Sequence, residues 1–125
     1  MKKALIACVD QGVTKEIEAF LRVQCRMPET EIVTVASQSE AKQALAEHFG
    51  EIRVAFIGED LPMDGDEDST GLVRYIRTND PRVLLLACQE SQALQAAGCQ
   101  MHWGHDMFQS LTHVVSGRLK MEPKR

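Results

Sequence analysis

Six carboxylates fall within the ten residues from Glu59 to Asp68: Glu59, Asp60, Asp64, Asp66, Glu67 and Asp68. They follow an apolar run, Val54 to Ile57, that stops at Gly58, and they precede Thr70-Gly71 and a helix-like LVRYIR. Carboxylates at this density can hold a divalent cation, or accept a phosphoryl group through one nucleophilic oxygen. Asp10, which follows an earlier apolar run, is the acid that could join Glu59 and Asp60 as a ligand for Mg²⁺. Its other reading is a helix-capping carboxylate. Asp64, Asp66 and Asp68 alternate like the first ligands of a calcium loop. The glycine that such a loop needs at its sixth position is Ser69 here, however, and the glutamate at its twelfth is Tyr75. The stretch therefore reads either as a weak divalent-ion site or as a solvated acidic loop.

Two other side-chain types carry chemistry. His102 and His105 bracket Trp103-Gly104, and His105 is a candidate titrating cation facing the acidic loop. Zinc held by His102, His105, Cys88 and Asp106 has no ligand spacing to support it. The four cysteines (Cys8, Cys25, Cys88 and Cys99) show neither a CxxC pair nor the spacing of a secreted scaffold. Reduced, mostly buried thiols in a cytoplasmic protein are expected. Cys8 and Cys88 end strand-like runs and have two readings, as core packing or as redox-sensitive thiols at a crevice. A strand lying between them argues against a bridge.

The 125 residues suit one domain with a single substantial core. With 44% apolar and 26% charged residues the chain is neither disordered nor fibrous. The net charge is −4, and without the six loop carboxylates it would be +2. Acidity concentrated in this way argues against direct nucleic-acid binding and for a cation, a basic partner or simple solvation. The apolar run after Met1-Lys2-Lys3 is too short for a signal-peptide core or a membrane span, so a cytoplasmic location is expected.

The elements that must position these groups alternate regularly. Ala4 to Val9 is an unbroken apolar run, as in a strand covered on both faces. A helix with Val13, Ile17, Phe20, Leu21 and Cys25 inward is predicted to about Arg26, where Met27-Pro28 closes it. Glu31 to Ala36 is the second strand. Ser37 with Glu40 forms a capping box for a helix that turns Ala41, Ala44, Leu45 and Phe49 inward and stops at Gly50. Ile52 to Ile57 is the third strand, and Gly71 to about Thr78 the next helix. Arg82 to Ala87, Gln89 to Ala97 and Cys99 to Trp103 read as strand, helix and weaker strand. A last helix, capped by Asp106 or Ser110, carries Met107, Phe108, Leu111, Val114, Val115 and Leu119. Five strands alternating with five helices predict right-handed crossovers and a doubly wound parallel sheet in the flavodoxin-like order 2-1-3-4-5. Residues 1–119 form the domain in this reading, and 120–125 a tail or the start of a linker. In that order the ends of strands 1 and 3 lie side by side and bring Asp10 and Glu59-Asp60 to one crevice.

Over about residues 3 to 119 this pattern resembles the receiver domains of bacterial response regulators. The local echo is Leu61-Pro62 after the third strand, with Gly71 and Arg77 bounding the following helix. Receivers carry an acidic pair after strand 1 and a phosphate-accepting Asp four residues before that proline. They also carry a Ser or Thr at the end of strand 4 and Lys-Pro after strand 5. Here the acidic pair is reduced to Asp10, and the acceptor position falls on Gly58, or on Glu59 if the match slides by one residue. The hydroxyl position falls on Ala87 and the lysine on His105, with Asp106 in place of the proline. Gly58 has no oxygen to phosphorylate and Ala87 none to hold a phosphoryl group.

The resemblance implies a degenerate receiver, a non-enzymatic signalling module of two-component type that acts by protein–protein contact without phosphorylation. Glu59 would be a fixed mimic of the lost phosphate. The partner would be a signalling protein or an output domain in the same or another chain, and relatives also form homodimers. Among relatives the partner face is helix 4, strand 5 and helix 5, which places His102 and Trp103 on it, with Trp103 as anchor if exposed. The alternative keeps chemistry: a phosphoacceptor or divalent-metal receiver using Asp10, Glu59 and Asp60 in an unusual register. A small-molecule sensor ranks last, because no Gly-rich phosphate loop is present.

Overall fold

The computed structural model describes residues 3–58, 69–104 and 108–120. Five parallel strands, β1 Lys3–Ala7, β2 Ile32–Val35, β3 Ile52–Ile57, β4 Leu84–Ala87 and β5 Met101–His102, form one sheet in the order β2-β1-β3-β4-β5. Helices α1 Gln11–Val23, α2 Gln38–Glu47, α3 Ser69–Asn79, α4 Gln92–Ala97 and α5 Phe108–Lys120 alternate with them. This is the doubly wound order that the alternation predicts.

The unbroken apolar runs follow from helices on both faces. Successive side chains of a strand point to opposite sides, so each run feeds two cores. Leu5, Ala7, Ala55, Ile57, Leu85 and Ala87 pack with Ala41, Ala44, Leu72, Val73 and Ile76 on the face of α2 and α3. Ala4, Ile6, Val54, Phe56, Leu84 and Leu86 pack with Ile17, Phe20, Leu21, Leu111 and Val115 on the face of α1 and α5. Cys8 and Cys88 continue the second set.

Capping sets the helix starts. Ser37 Oγ accepts from the Glu40 amide at 3.1 Å, while the Glu40 carboxylate accepts, at 3.5 Å, from Ala36 rather than from Ser37 itself. The expected capping box is thus closed one residue early. Ser91 caps α4 through the Leu94 amide, which moves that helix start from Gln89 to Gln92. β4 begins at Leu84 rather than Arg82, and β5 is only two residues long.

Two apolar residues face outward against expectation. Val9 is 48% exposed, because β1 ends at Ala7 and the chain turns into the cap of α1. Phe49 is 66% exposed, because α2 ends at Glu47 and helical spacing no longer governs a residue beyond its cap. Gly50 at φ 81° and Gly98 at φ 139° end α2 and α4 in backbone conformations that favour glycine. Gly98 also lies directly under the side chain of Arg77.

Candidate functional site

The carboxyl ends of β1, β3 and β4 lie side by side, where the sequence places its chemistry. Ala7, Ile57 and Ala87 lie level across the three strands, and Ala87 is level with His102. Pairing runs one residue further: Gly58 donates to the Ala7 carbonyl at 2.7 Å, and Cys88 donates to the Ile57 carbonyl at 2.9 Å. Cys8, Gly58 and Cys88 therefore stand in a row.

Gly58 leaves no side chain above β3. A Cβ built there would stand 3.3 Å from the Ala7 carbonyl oxygen, 3.4 Å from Cys8 Cα and 3.6 Å from Cys8 Sγ. Ala87 is 2% exposed, its methyl packed in the α2–α3 core and its carbonyl accepting from the Trp103 amide at 2.8 Å. These positions thus hold a backbone and a methyl group, neither of which has an oxygen nucleophile or a hydroxyl.

Asp10 is the N-cap of α1. Its Oδ1 accepts from the Gly12 amide at 2.9 Å and the Val13 amide at 3.3 Å. Its carbonyl accepts from both the amide and the hydroxyl of Thr14, each at 3.0 Å. This is the capping use of an aspartate, and it satisfies two orphan helix donors. Glu59, Asp60, His105 and Asp106 lie outside the described residues, as does the acidic stretch to Asp68. Among the described residues no three His, Cys, Asp or Glu side chains gather to hold a metal ion, and the one expected ligand among them, Asp10, has an oxygen committed to its helix. Of the candidate Mg²⁺ ligands, Asp10 is the one among the described residues.

Trp103 is a correction to the expected partner anchor. It is 7% exposed and stands edge-on to Phe20, with centroids 5.1 Å apart, and to Phe56, at 6.4 Å. Its ring is part of the core between the sheet and α1, so it is not available to a partner. His102 is half-buried and lines a cavity of about 180 Å³ with Ala87, Glu90, Ser91, Gln95 and Cys99.

The pairing of Cys8 with Cys88 is what sequence reasoning missed. Both are buried, at 6% and 3% exposure, and both are free thiols. They flank Gly58, and each is the largest influence on the other's proton affinity. The Cys88 thiol, more than any other group, pulls the Cys8 thiol down to about 6; burial opposes this and the Thr14 hydroxyl assists. Cys8 in turn, with burial behind it, pushes Cys88 far above the ordinary thiol range. Burial alone pushes Cys99 up to about 12. The signal that could have found the row was Gly58, which places no side chain between Cys8 and Cys88.

No protein-family model matches the chain, and no curated protein matches it. Solved structures do. One is a response regulator receiver domain protein from Clostridium thermocellum, at TM-score 0.71 and 15% identity over 95% of this chain and 94% of that one. A second comes from the co-crystal structure of the Saccharomyces cerevisiae histidine phosphotransfer protein Ypd1 with the receiver domain of Ssk1, at TM-score 0.69 and 14% identity over 94% of this chain and 88% of that one. A third is the Mn²⁺-bound form of the response regulator Rcp1, at TM-score 0.65 and 14% identity over 100% of this chain and 99% of that one. The fold is therefore the one seen in receiver domains of two-component response regulators. Identities this low carry the fold alone.

Proposed function

We propose that this chain is a receiver-like signalling module that works without phosphorylation, by contact with a protein partner. The observation that carries the reading is Gly58, level with the crevice and lacking a side chain where receivers carry the acceptor aspartate. Ala87, a buried methyl beside it, adds weight. The partner is a signalling protein or an output domain. The surface that suits it combines His102, Glu90 and Gln95 around the cavity with the exposed Gln109 and His113 of α5. The chemical alternative, using Asp10, Glu59 and Asp60, has one support: a receiver of the same fold is Mn²⁺-bound. Against it stands the capping role of Asp10. The deciding experiment maps amide chemical shifts as Mg²⁺ and beryllofluoride are added. The proposal expects no saturable shifts at Asp10, Gly58 or Ala87. Stoichiometric, site-specific shifts there would overturn it in favour of the alternative.

A further inference from the structure

A second cavity lies at the other end of the sheet from Gly58. It has a volume of about 210 Å³ and sits between the last turns of α2 and α3, beside Ile52, the first residue of β3. Buried Ile52 and Ile76 form its inner wall with half-buried Leu45. Phe49 and Tyr75, 66% and 36% exposed, stand at its rim. They are two of the four large apolar side chains that the described residues leave exposed.

One carboxylate belongs to this apolar wall. Asp80 lines the cavity and is 9% exposed, so its charge is largely out of water. Its Oδ1 accepts a single long bond, from Arg82 Nε at 3.4 Å, and the Arg82 side chain is itself 61% exposed. Among the described residues Oδ2 has no donor. A buried carboxylate with half its accepting capacity unfilled is costly until a cation reaches it. The backbone adds to the same field. α2 ends at Glu47 and α3 at Asn79, and both ends reach the cavity with the partial negative charge of a helix C-terminus. The Tyr75 ring already attracts one cation, since Lys42 Nζ stands 5.0 Å from its centroid. Neither Lys42 nor Arg82 lines the cavity itself.

Size narrows the ligand. An apolar cavity of about 150 Å³ holds one benzene ring, so about 210 Å³ takes a ring with a short arm. Two exposed rings fall far short of the area that a stable protein interface buries, which favours a small molecule over a partner chain. We propose that this cavity binds a monocyclic arylalkylamine, with its ammonium on Asp80 Oδ2 and its ring between Phe49 and Tyr75. The apolar wall supplies affinity, and Asp80 separates the amine from a neutral molecule of the same shape. The site lies away from Gly58 and Ala87 and does not rest on how their end of the sheet is read.

The test titrates the full chain with 2-phenylethylamine and, separately, with 2-phenylethanol, following backbone amide shifts. The amine should give saturable shifts at Gly50, Asn79 and Asp80, and the alcohol should bind about tenfold more weakly, the worth of one charge-assisted hydrogen bond. Asp80→Asn keeps the shape and should weaken the amine about tenfold while leaving the alcohol unchanged. Phe49→Ala, at an exposed position, should weaken both alike, by about fivefold; Trp103 fluorescence reports that each variant is folded. Equal affinity for amine and alcohol, unchanged amine affinity in Asp80→Asn, or no saturable shift with the amine would overturn the proposal. So would a short lysine peptide that binds there more tightly than the amine, because the site would then be a protein contact.

Discussion

Replacing Trp103 with alanine should cost the domain a large part of its stability, because the ring is a keystone of the α1–α5 core. The side chain is 7% exposed and contacts Phe20 and Phe56 edge-on, at 5.1 and 6.4 Å. A buried tryptophan removes roughly 150–250 Å² from water, and edge-to-face pairs each add about 0.5–1.5 kcal/mol. Burial at about 25 cal/mol/Å² gives about 4–6 kcal/mol, an upper bound because real unfolded chains already bury part of their surface. Measured Trp→Ala substitutions in cores lose about 3–5 kcal/mol, and that is the expected loss here. Against a total of about 5–15 kcal/mol for a small domain, the variant should remain folded but with little margin. Urea unfolding followed by far-ultraviolet ellipticity measures the loss directly. The wild type offers an independent check, since its single tryptophan should emit with a blue-shifted maximum that moves red on unfolding. A loss below about 1 kcal/mol, together with water-like emission in the native state, would refute the core placement and return Trp103 to the surface.

Three further outcomes are expected. Asp10→Ala removes the cap of α1 and should cost about 1 kcal/mol by urea titration, whereas Asp10→Asn or Asp10→Ser should recover most of it; equal losses in all three would point to a role other than capping. Gly98→Ala should cost about 1–3 kcal/mol, since φ is 139° and the new methyl would run into the Arg77 side chain; an unchanged urea midpoint would contradict that geometry. The thiols should also shape the pH dependence of stability. Cys8 is depressed on folding, so its contribution is full above the unfolded thiol range and is lost as pH falls through about 6. Cys88 and Cys99 are raised, so theirs is present below that range and is lost as pH rises, for Cys99 through about 12. Urea midpoints should therefore climb from pH 6 toward 9 less steeply in Cys8→Ser than in wild type, and an identical slope in the two proteins would contradict the reading.

The sheet order was legible because Ala4–Ile6, Val54–Ile57 and Leu84–Leu86 are apolar at every position, which only a sheet covered on both faces requires. Capping residues were legible for the same local reason: Asp10, Ser37 and Ser91 each act within a few residues of themselves. What failed was tertiary. Periodicity assigned Phe49 to a helix face, but the helix had already ended at Glu47. Trp103 follows a two-residue strand, too short for alternation to say which way it points. The placing of Cys8 and Cys88 on either side of Gly58 depends on register between β1, β3 and β4, and no single segment encodes register across a crossover. Gly58 was read for the acceptor position it falls on, not as the residue that places no side chain between Cys8 and Cys88.

The central proposal is that this chain works without phosphoryl chemistry, on the strength of Gly58 and Ala87. The most direct measurement is the intact mass of the full chain after incubation with Mg²⁺ and acetyl phosphate, read against a chain incubated with Mg²⁺ alone. The account expects the two masses to coincide. A stoichiometric phosphoryl adduct, mapped by peptide mass to Asp10, Glu59 or Asp60, would contradict it.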